Sequence, residues 1–406
     1  MNKEEKMHDT SDVWLLDQEI VFLNHGSFGS CPRPVVEYQR SLRERLERRP
    51  IQFMGRDLEA MLDVARGTLA AFVGARDDNL VFVHNATSGV NTVLRSLRFK
   101  PGDELLTTNH AYGACRAAAE FATERAGATM IVAEVPFPVQ TEDQIIDAVL
   151  AKVTPRTRLA LLDHITSPTA LIFPLKRLID KLAERGIDTL VDGAHAPGML
   201  ALELEELGAA YYTGNCHKWL CCPKGAAFLY VRQDRQEGVR PLVISHGVTI
   251  SRSGRSRFVA DFNWNGTLDP TAWLSIPEAI RVVDGMVSGG WPEVMRRNHD
   301  LALTGRRILC EMLDTTEPCP EAFIGSMASV PLPDTPDGTA PGPCGAPDGM
   351  ANQLLETYQI EVPLCRWPGP PKRQVRISAQ LYNKVEQYET LGAALREIVK
   401  QERGDG

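Results

Sequence analysis

Two ionisable residues in the middle of the chain each follow a short apolar run, and together they indicate a specific chemistry. Lys218 comes after the apolar residues 209–212 and the polar residues 213–217, and Asp192 directly follows residues 189–191. A lysine amine can hold an aldehyde cofactor as a Schiff base, and an aspartate can keep a pyridine nitrogen protonated. The pair therefore predicts pyridoxal phosphate (PLP) and a reaction at the Cα atom of an amino acid. The alternatives are a surface lysine and an aspartate that caps a turn.

Other residues have side chains that suit such a site. His195 can reach the phenolic oxygen of the cofactor ring, or it is a core histidine satisfied by backbone. Residues 85–89 can bind phosphate through amides and hydroxyls at a helix N-terminus, although simple N-capping uses the same atoms. His110 or Tyr112 can stack on the cofactor ring, and packing is the alternative for both. Arg376 has the planar fork that binds carboxylates, with a surface salt bridge as its alternative.

The elements that would position these residues alternate between about residues 79 and 232. Seven short apolar runs are separated by amphipathic stretches of helical length. This alternation favours a mostly parallel sheet covered by helices, in which ligands bind at the carboxyl ends of the strands. The polar clusters of the sequence fall at those ends. The predicted strands are residues 80–83, 104–107, 129–133, 159–162, 189–191, 209–213 and 226–231, and the predicted helices are residues 87–98, 113–126, 141–152 and 174–186.

Beyond about residue 275 the pattern changes, which predicts a smaller α+β domain. Residues 331–349 are rich in Pro, Gly and Asp and are expected to form a long surface loop. Helices are expected at 277–287, 291–313 and about 384–402, with short apolar runs at 359–362 and 374–378.

Composition limits the class of protein. The chain has 406 residues, of which 43% are hydrophobic and 24% charged, as in a soluble globular protein of two domains or of one large domain with an appendage. The net charge of −8 disfavours a nucleic-acid partner, and the basic residues in 40–49 are interleaved with acidic ones as on a solvated helix face. No apolar run approaches the roughly 18 residues of a membrane span, and the charged N-terminus lacks the apolar core of a signal peptide. We therefore expect a cytoplasmic enzyme with reduced cysteines, whose spacing predicts no metal site.

Eight short motifs give the chain a resemblance to a known family. They occur in the same order as in isopenicillin N epimerase-like proteins, which are class V members of the aminotransferase superfamily and relatives of the cysteine desulfurases. The motifs are residues 24–29, 85–89, 109–112, 163–168, 191–195, 213–218, 265–267 and 376–383.

The resemblance implies an α/β enzyme of PLP-dependent fold type I. Its large domain would contain a mostly parallel seven-stranded sheet, and a smaller C-terminal α+β domain would follow. The expected boundaries are an N-terminal arm over the active site at 1–30, the PLP-binding domain at 31–275 and the small domain at 276–406. The resemblance further implies an amino-acid substrate and a homodimer with shared active sites.

The same resemblance assigns catalytic and cofactor-binding roles. Lys218 would carry the cofactor, Asp192 would bind its pyridine nitrogen, and His110 would stack on its ring. These three are the expected catalytic residues, and His195 joins them around the cofactor. The expected phosphate ligands are Thr87, Ser88, Asn215, His217 and, from the neighbouring subunit, Thr267.

The substrate side of the site is expected to use four residues. Arg376 matches the carboxylate-binding arginine of the family, and Asn24 and His25 match the segment that lies over the active site. We place Tyr112 with them.

Two departures separate the chain from the cysteine desulfurases. Those enzymes carry a nucleophilic cysteine on a loop before the carboxylate arginine, and Cys365, which precedes Arg376 here, does not stand in that motif. Ser167 stands where desulfurases place an asparagine near the cofactor oxygen. Both differences disfavour persulfide chemistry.

The residues leave the reaction open, because a lysine in this position serves several reactions. Epimerisation returns the Cα proton on the opposite face, so it needs a second acid–base group, for which His25, Tyr112 or a water is available. β-Elimination begins with the same proton removal and then expels a thiol from Cβ. We expect an isopenicillin N epimerase-like epimerase or racemase first, a cysteine desulfurase or C–S lyase second and an aminotransferase third.

Overall fold

The computed structural model describes residues 13–249, 254–335 and 349–403. Its N-terminal part contains a short strand and several helices that the sequence analysis did not predict, apart from the exposed basic helix face at 40–49. A π-helical turn at Phe53–Asp57 interrupts the helical run. The elements are β1 (Val21–Phe22), α1 (His25–Phe28), α2 (Arg33–Arg48), α3 (Pro50–Gln52) and α4 (Leu58–Phe72).

A seven-stranded sheet follows, and all seven predicted strands are confirmed. The strands are β2 (Leu80–Val83), β3 (Glu104–Thr108), β4 (Thr129–Ala133), β5 (Thr157–Asp163), β6 (Asp188–Asp192), β7 (Tyr211–Asn215) and β8 (Ala227–Val231). Their order is β2-β8-β7-β6-β5-β3-β4, and only β8 runs against its neighbours. The sheet is therefore mostly parallel, as the fold-type prediction requires.

Local signals explain where the connecting helices begin and end. Asn85 caps the start of the first helix, Thr141 and Gln144 form a capping box, and Gly127 ends a helix in the left-handed conformation at φ 65°. The helices between the strands are α5 (Ala86–Ser96), α6 (Gly113–Ala126), α7 (Glu142–Leu150), α8 (Leu175–Ala183) and α9 (Leu204–Leu207).

Both faces of the sheet are buried, because side chains alternate along each strand. In β2, Val81 and Val83 belong to one apolar cluster, while Leu80 and Phe82 belong to the other. The first cluster includes residues of α5 and α6, and the second those of α4, α7 and α8. The sheet is thus a rigid platform whose carboxyl edge can hold a site.

The rest of the chain adds a smaller sheet and its helices. Strands β11, β12 and β9 form an antiparallel sheet that packs against two long helices, α14 and α16, while β1 pairs in parallel with β10. The elements, in chain order, are α10 (His246–Thr249), α11 (Arg257–Asn263), α12 (Thr271–Leu274), α13 (Ile276–Asp284), α14 (Gly290–Met312), β9 (Met327–Leu332), α15 (Gly349–Tyr358), β10 (Ile360–Glu361), β11 (Leu364–Cys365), β12 (Arg373–Ser378) and α16 (Val385–Arg403).

This part agrees with the expected α+β pattern. It adds elements that were not predicted, namely strands β9 and β11 and helices α10, α11, α12 and α15. The predicted loop at 331–349 begins inside β9 and lies mostly outside the described residues. The expected domain boundaries stay predictions. Within the described ranges, no helix combines the length and apolarity that crossing a membrane requires.

Candidate active site

A cavity of 370 Å³ opens at the carboxyl edge of the seven-stranded sheet. Strands β2, β5, β6 and β7 all run in the same direction, so the residues that follow them meet at this edge. The N-terminal segment and the start of α5 complete the wall. The lining includes Ser27, Phe28, His84, Asn85, Thr87, Tyr112, Asp163, Ser167, Asp192, His195, Asn215, His217 and Lys218.

Lys218 lies three residues beyond the end of β7 and lines this cavity. Its Nζ atom lies 3.3 Å from Nε2 of His195. Burial, followed by the positive charge of Arg376, lowers the pKa of Lys218 to about 7, against the opposing effect of Asp192. Much of this amine is therefore neutral near pH 7, which is the form that attacks an aldehyde.

Asp192 ends β6 and presents a fixed carboxylate to the same cavity. Its Oδ1 accepts a hydrogen bond from the backbone N–H of Ala194 at 3.0 Å, and its Oδ2 accepts one from the thiol of Cys115 at 3.0 Å. The structure therefore brings Asp192 and Lys218 together, although they are well separated in sequence.

A second carboxylate, Asp163, lies beside Asp192. In the sequence it stands out only as the first residue of the motif at 163–168. Asp163 ends β5 in register with Asp192 of β6, and both line the cavity. Burial, followed by the negative charge of Asp192, raises the pKa of Asp163 well above its usual range, which favours the protonated form of Asp163. Its position at the end of the strand next to β6 was the sequence signal that could have identified it.

The N-terminus of α5 opens onto the cavity. Asn85 caps this helix by accepting bonds from the backbone N–H of Ser88 at 2.8 Å and from its hydroxyl at 3.0 Å. The amide of Ala86 donates to Oδ1 of Asn215 at 2.8 Å, which ties the start of α5 to the end of β7. Thr87 lines the cavity, whereas the Ser88 hydroxyl is used in the cap. N-capping, one of the two alternatives, is therefore present at this helix N-terminus, and phosphate binding there stays a prediction.

Two histidines of the lining are neutral. Burial, followed by the positive charge of Lys218, lowers the pKa of His217 to about 4. Burial and the charges of Lys218 and Arg376 lower the pKa of His195 well below its usual range. The Nδ1 atom of His195 is buried and has no hydrogen-bond partner among the described residues. An unpartnered buried nitrogen in a cavity wall indicates a ligand atom as its partner.

Arg376 lies in the middle of β12 and reaches the cavity wall from the small sheet. It is 2% exposed. Its Nη1 donates to the carbonyl oxygen of Ser167 at 2.7 Å and to the hydroxyl of Ser167 at 3.1 Å, and its Nη2 donates to the hydroxyl of Ser27 at 3.1 Å. Both serines line the cavity.

Within the described ranges, Arg376 has no acidic partner, unlike two other deeply buried arginines. Arg306 pairs with Glu317 at 2.7 Å, and Arg373, in the same strand as Arg376, pairs with Glu402. A buried guanidinium that faces only neutral groups is costly unless an anion binds to it. This site therefore suits the carboxylate of a ligand.

The structure does not bring His110 into the cavity. Its Nε2 donates to the carbonyl of Val135 at 3.1 Å, its Nδ1 accepts from Thr169 at 2.7 Å, and its ring packs against Trp367 with a centroid distance of 4.2 Å. Packing, the alternative weighed for His110, describes this environment. Tyr112, the other residue considered for ring stacking, lines the cavity and is 42% exposed.

Three of the expected substrate residues also lie outside the lining, and one of them, Arg376, contacts it through Ser27 and Ser167. Asn24 accepts a bond from Ser27 at 2.5 Å, and His25 is fully buried behind Lys218. The N-terminal residues that line the cavity are instead Ser27 and Phe28. Thr267 is exposed and is not part of the lining, and its role at a neighbouring subunit stays a prediction.

None of the described cysteines lines the cavity. Seven are free, as expected, but the expectation of reduced cysteines is wrong for Cys365, which is buried and disulfide-bonded. Burial, followed by the charge of Asp192, raises the pKa of the Cys115 thiol well above its usual range. The described cysteines thus offer no thiolate nucleophile to the cavity.

Comparisons with known proteins identify relatives of this chain. The sequence profile of the family described as aminotransferase class-V matches residues 35–317. An isopenicillin N epimerase of Amycolatopsis lactamdurans is 33% identical over 95% of this chain and 96% of its own length. A probable chloroplastic L-cysteine desulfhydrase of Arabidopsis thaliana is 32% identical over 95% of this chain and 84% of its own.

A solved structure shows the same fold. It is a variant of C-DES, a cystine C–S lyase, with glycine covalently linked to its PLP cofactor. The two chains superpose with a TM-score of 0.76 at 20% sequence identity, over 93% of this chain and 96% of that one.

Proposed function

Because the chain belongs to the aminotransferase class-V family, we propose that it acts as a C–S lyase on a small, cysteine-like amino acid. The reaction would remove the Cα proton and expel the sulfur from Cβ. One observation carries this proposal, namely that two buried cationic side chains occur together at the site. Lys218 has a pKa of about 7, and the guanidinium of Arg376 has no acidic partner in the described structure.

The cofactor of this enzyme is pyridoxal 5′-phosphate. When bound, it supplies an electron sink for the charge left at Cα after a proton is removed. The cavity fits it in three respects: the N-terminus of α5 suits its phosphate, Lys218 its aldehyde and the unpartnered nitrogen of His195 a polar ring substituent. Asp192 would hold the pyridine nitrogen.

The remaining cofactor contacts follow from the lining. Thr87, His217 and Asn215 would surround the phosphate together with the helix amides, and Ser88 would act through its cap. Tyr112 would take the ring-stacking role that was expected of His110, because its ring lines the cavity and that of His110 does not. The protonated form of Asp163 would carry no charge, so it would not repel the carboxylate of Asp192.

The residues of this chain would then have separate roles in the reaction. Arg376 would bind the substrate carboxylate, which fixes the amino acid at one end. Lys218 Nζ would take the Cα proton, and its pKa of about 7 allows it to accept and return protons at neutral pH. His195, 3.3 Å from Nζ, would orient the amine.

Two observations favour elimination over epimerisation. Elimination needs one base, whereas epimerisation needs a second group on the opposite face, and His25 is buried with both ring nitrogens bonded. The volume of 370 Å³ is near the lower end of the roughly 300–1,000 Å³ usual for ligand sites. With the cofactor inside, that space suits a small amino acid better than a large one.

Epimerisation is the second candidate, and Tyr112 is the observation that favours it. Its phenol lines the cavity, and burial raises its pKa, so that it keeps a proton to donate. The relative from Amycolatopsis lactamdurans carries this activity in its name.

The deciding experiment follows the fate of the substrate. Incubation with cysteine in deuterated water should release sulfide and pyruvate, and Lys218→Ala should lose both the products and the visible absorbance of the bound cofactor. Deuterium at Cα with inversion and no sulfide, across a panel of amino acids, would favour epimerisation. Full activity of Lys218→Ala would contradict both candidates.

A further inference from the structure

The N-terminal segment 24–29 was expected to contact substrate, but His25 lies behind the catalytic lysine. Its Nε2 lies 3.1 Å from the backbone carbonyl oxygen of Lys218. Because a carbonyl only accepts, Nε2 carries the ring proton and donates it. Nδ1 is then the acceptor and receives the hydroxyl of Tyr382 at 2.9 Å.

Aromatic side chains surround the His25 ring. Its centroid lies 4.8 Å from that of Trp219, 5.9 Å from that of Tyr382 and 6.2 Å from that of Trp14. The side chain is completely buried. With both nitrogens bonded and the ring packed on several sides, His25 has one orientation.

His25 is also a permanent donor rather than a proton shuttle. Burial lowers its pKa to about 3, with the charge of Lys224 lowering it and the bond to the Lys218 carbonyl raising it. At neutral pH the ring is uncharged, and its proton stays on Nε2, which donates it to the carbonyl oxygen of Lys218.

The same segment contacts the lysine loop at a second point. Gly29 has φ 70°, and a Cβ atom there would lie 2.1 Å from the carbonyl oxygen of His217 and 2.9 Å from Cα of Lys218. Nζ of Lys224 holds the carbonyl of Gly29 at 2.9 Å. Only glycine permits this close approach of the two backbones.

We propose that His25 is a positioning residue: its N–H bond to the Lys218 carbonyl, supported by the Tyr382 hydroxyl, fixes the main chain from which Nζ reaches the cofactor. This inference rests on the proposed role of Lys218 in holding PLP. His25 itself touches neither cofactor nor substrate. Its contacts join the N-terminal segment, the lysine loop and the C-terminal region around Tyr382.

Two substitutions at position 25 separate positioning from mere packing. His25→Leu fills space but has no donor, whereas His25→Gln retains an N–H group at a comparable distance from the backbone. The readout is the rate at which added PLP attaches to Lys218 in cofactor-stripped, full-length protein, followed by visible absorbance and confirmed by borohydride reduction and mass spectrometry.

We expect His25→Leu to attach PLP about tenfold more slowly than the wild type and His25→Gln to stay within about threefold, since one hydrogen bond contributes on this scale. In the holoenzyme, His25→Leu should lower kcat while KM changes less than about twofold, because Arg376 is untouched. Equal rates for His25→Leu and the wild type, or a folded His25→Gln as slow as His25→Leu, would overturn the inference.

Tyr382→Phe keeps the test decisive where His25→Leu does not fold. It leaves the histidine in place and removes only the bond to Nδ1, so we expect attachment to slow by about threefold; an unchanged rate overturns the inference. Absence of attachment in the wild type would instead defeat the proposed function, so the two failures are distinguishable.

Discussion

At the scale of single residues, Arg376 affects Lys218 through its charge. Both are buried, and the guanidinium is the second largest cause, after burial, of the lowered pKa of Lys218. The arginine therefore has two proposed effects: it would bind the substrate carboxylate, and it keeps the lysine amine neutral. Each effect can be measured separately.

The first prediction concerns recognition of the carboxylate. Arg376→Met should lower kcat/KM by about 100-fold, mainly through KM, because a buried charge-assisted contact is lost. Arg373→Met is the matched control, since this arginine lies in the same strand but pairs with Glu402. The control should lower the melting temperature and leave KM within about twofold. An unchanged KM in Arg376→Met would contradict the assignment.

The second prediction concerns pH. PLP attachment to the cofactor-stripped protein should speed up as pH rises and level off above about pH 7, because only the neutral amine of Lys218 attacks. In Arg376→Met the midpoint should move to higher pH, since removing a positive neighbour raises the pKa of the lysine. Stopped-flow absorbance at several pH values measures both. An unchanged midpoint would show that the charge of Arg376 does not affect the pKa of the Lys218 amine.

The third prediction concerns Asp163. Because the pKa of Asp163 is raised in the folded protein, the free energy of unfolding falls as pH rises above ~4, the pKa of an aspartate in the unfolded chain. Asp163→Asn, which is neutral at every pH, should therefore melt at a higher temperature than the wild type at pH 8, and the gap should shrink towards pH 4. Thermal melts of cofactor-stripped protein measure the difference. Identical curves at pH 8 would show that Asp163 is not held neutral.

At the scale of elements, the proposed phosphate site at the N-terminus of α5 depends on how closely this helix approaches β7. A Cβ atom at Gly89 would lie 2.1 Å from Oγ1 of Thr213, so the helix could not keep its place. The end of β7 also anchors the helix through Asn215 and Ala86. The helix N-terminus and the lysine loop are thus parts of one packed unit.

The fourth prediction tests this close approach. Gly89→Ala should destabilise the protein by about 1–3 kcal/mol through overpacking and weaken PLP binding more than pyridoxal binding. Gly67→Ala is the control, because it lies in helix α4 with open space around its Cβ position. The control should be neutral or stabilising by about 0.5–1 kcal/mol. Denaturant unfolding and fluorescence titration provide the measurements, and a harmless Gly89→Ala would refute the packing argument.

The elements that sequence predicts well are those with strong periodicity. Strands β2 to β8 are short, apolar and regularly spaced, so their order along the chain was recoverable. Strand β9 was missed because its residues adjoin the Pro- and Gly-rich stretch after residue 332. Element boundaries differed by a few residues, because caps such as Asn85 decide them locally.

The site shows a similar division. Lys218 and Asp192 were identifiable because each follows a strand, and the parallel sheet brings strand ends together. His110 also follows a strand, yet its ring turns away from the cavity to bond with Val135 and Thr169. Motif position predicts where a main chain lies, whereas the direction of a side chain depends on packing partners far away in sequence.

At the scale of the whole molecule, the N-terminal segment and the C-terminal elements meet around one cavity. Ser27 and Arg376 touch each other there, and β1 pairs with β10. The expected division at residues 30 and 275 stays a prediction, and so does a cytoplasmic location.

The fifth prediction concerns assembly. We expect a homodimer of twice 44.8 kDa in which Thr267 completes the neighbouring phosphate site. Its exposure, together with that of Phe28 (72%) at the cavity, supports this arrangement. Mixing inactive Lys218→Ala with inactive Thr267→Asp should restore up to about a quarter of wild-type activity, since half of the dimers are mixed and each holds one intact site. Analytical ultracentrifugation gives the mass, and no restoration after subunit exchange would argue for self-contained sites.

The pairing of β1 with β10 affects how the protein is made. Residues 21–22 find their partners, residues 360–361, only after the seven-stranded sheet between them has been synthesised. His25, three residues beyond β1, likewise waits for Tyr382 before its hydrogen bonds are complete. A nascent chain can therefore build its central sheet first, while Lys218 acquires its final support only after the C-terminal elements have been made.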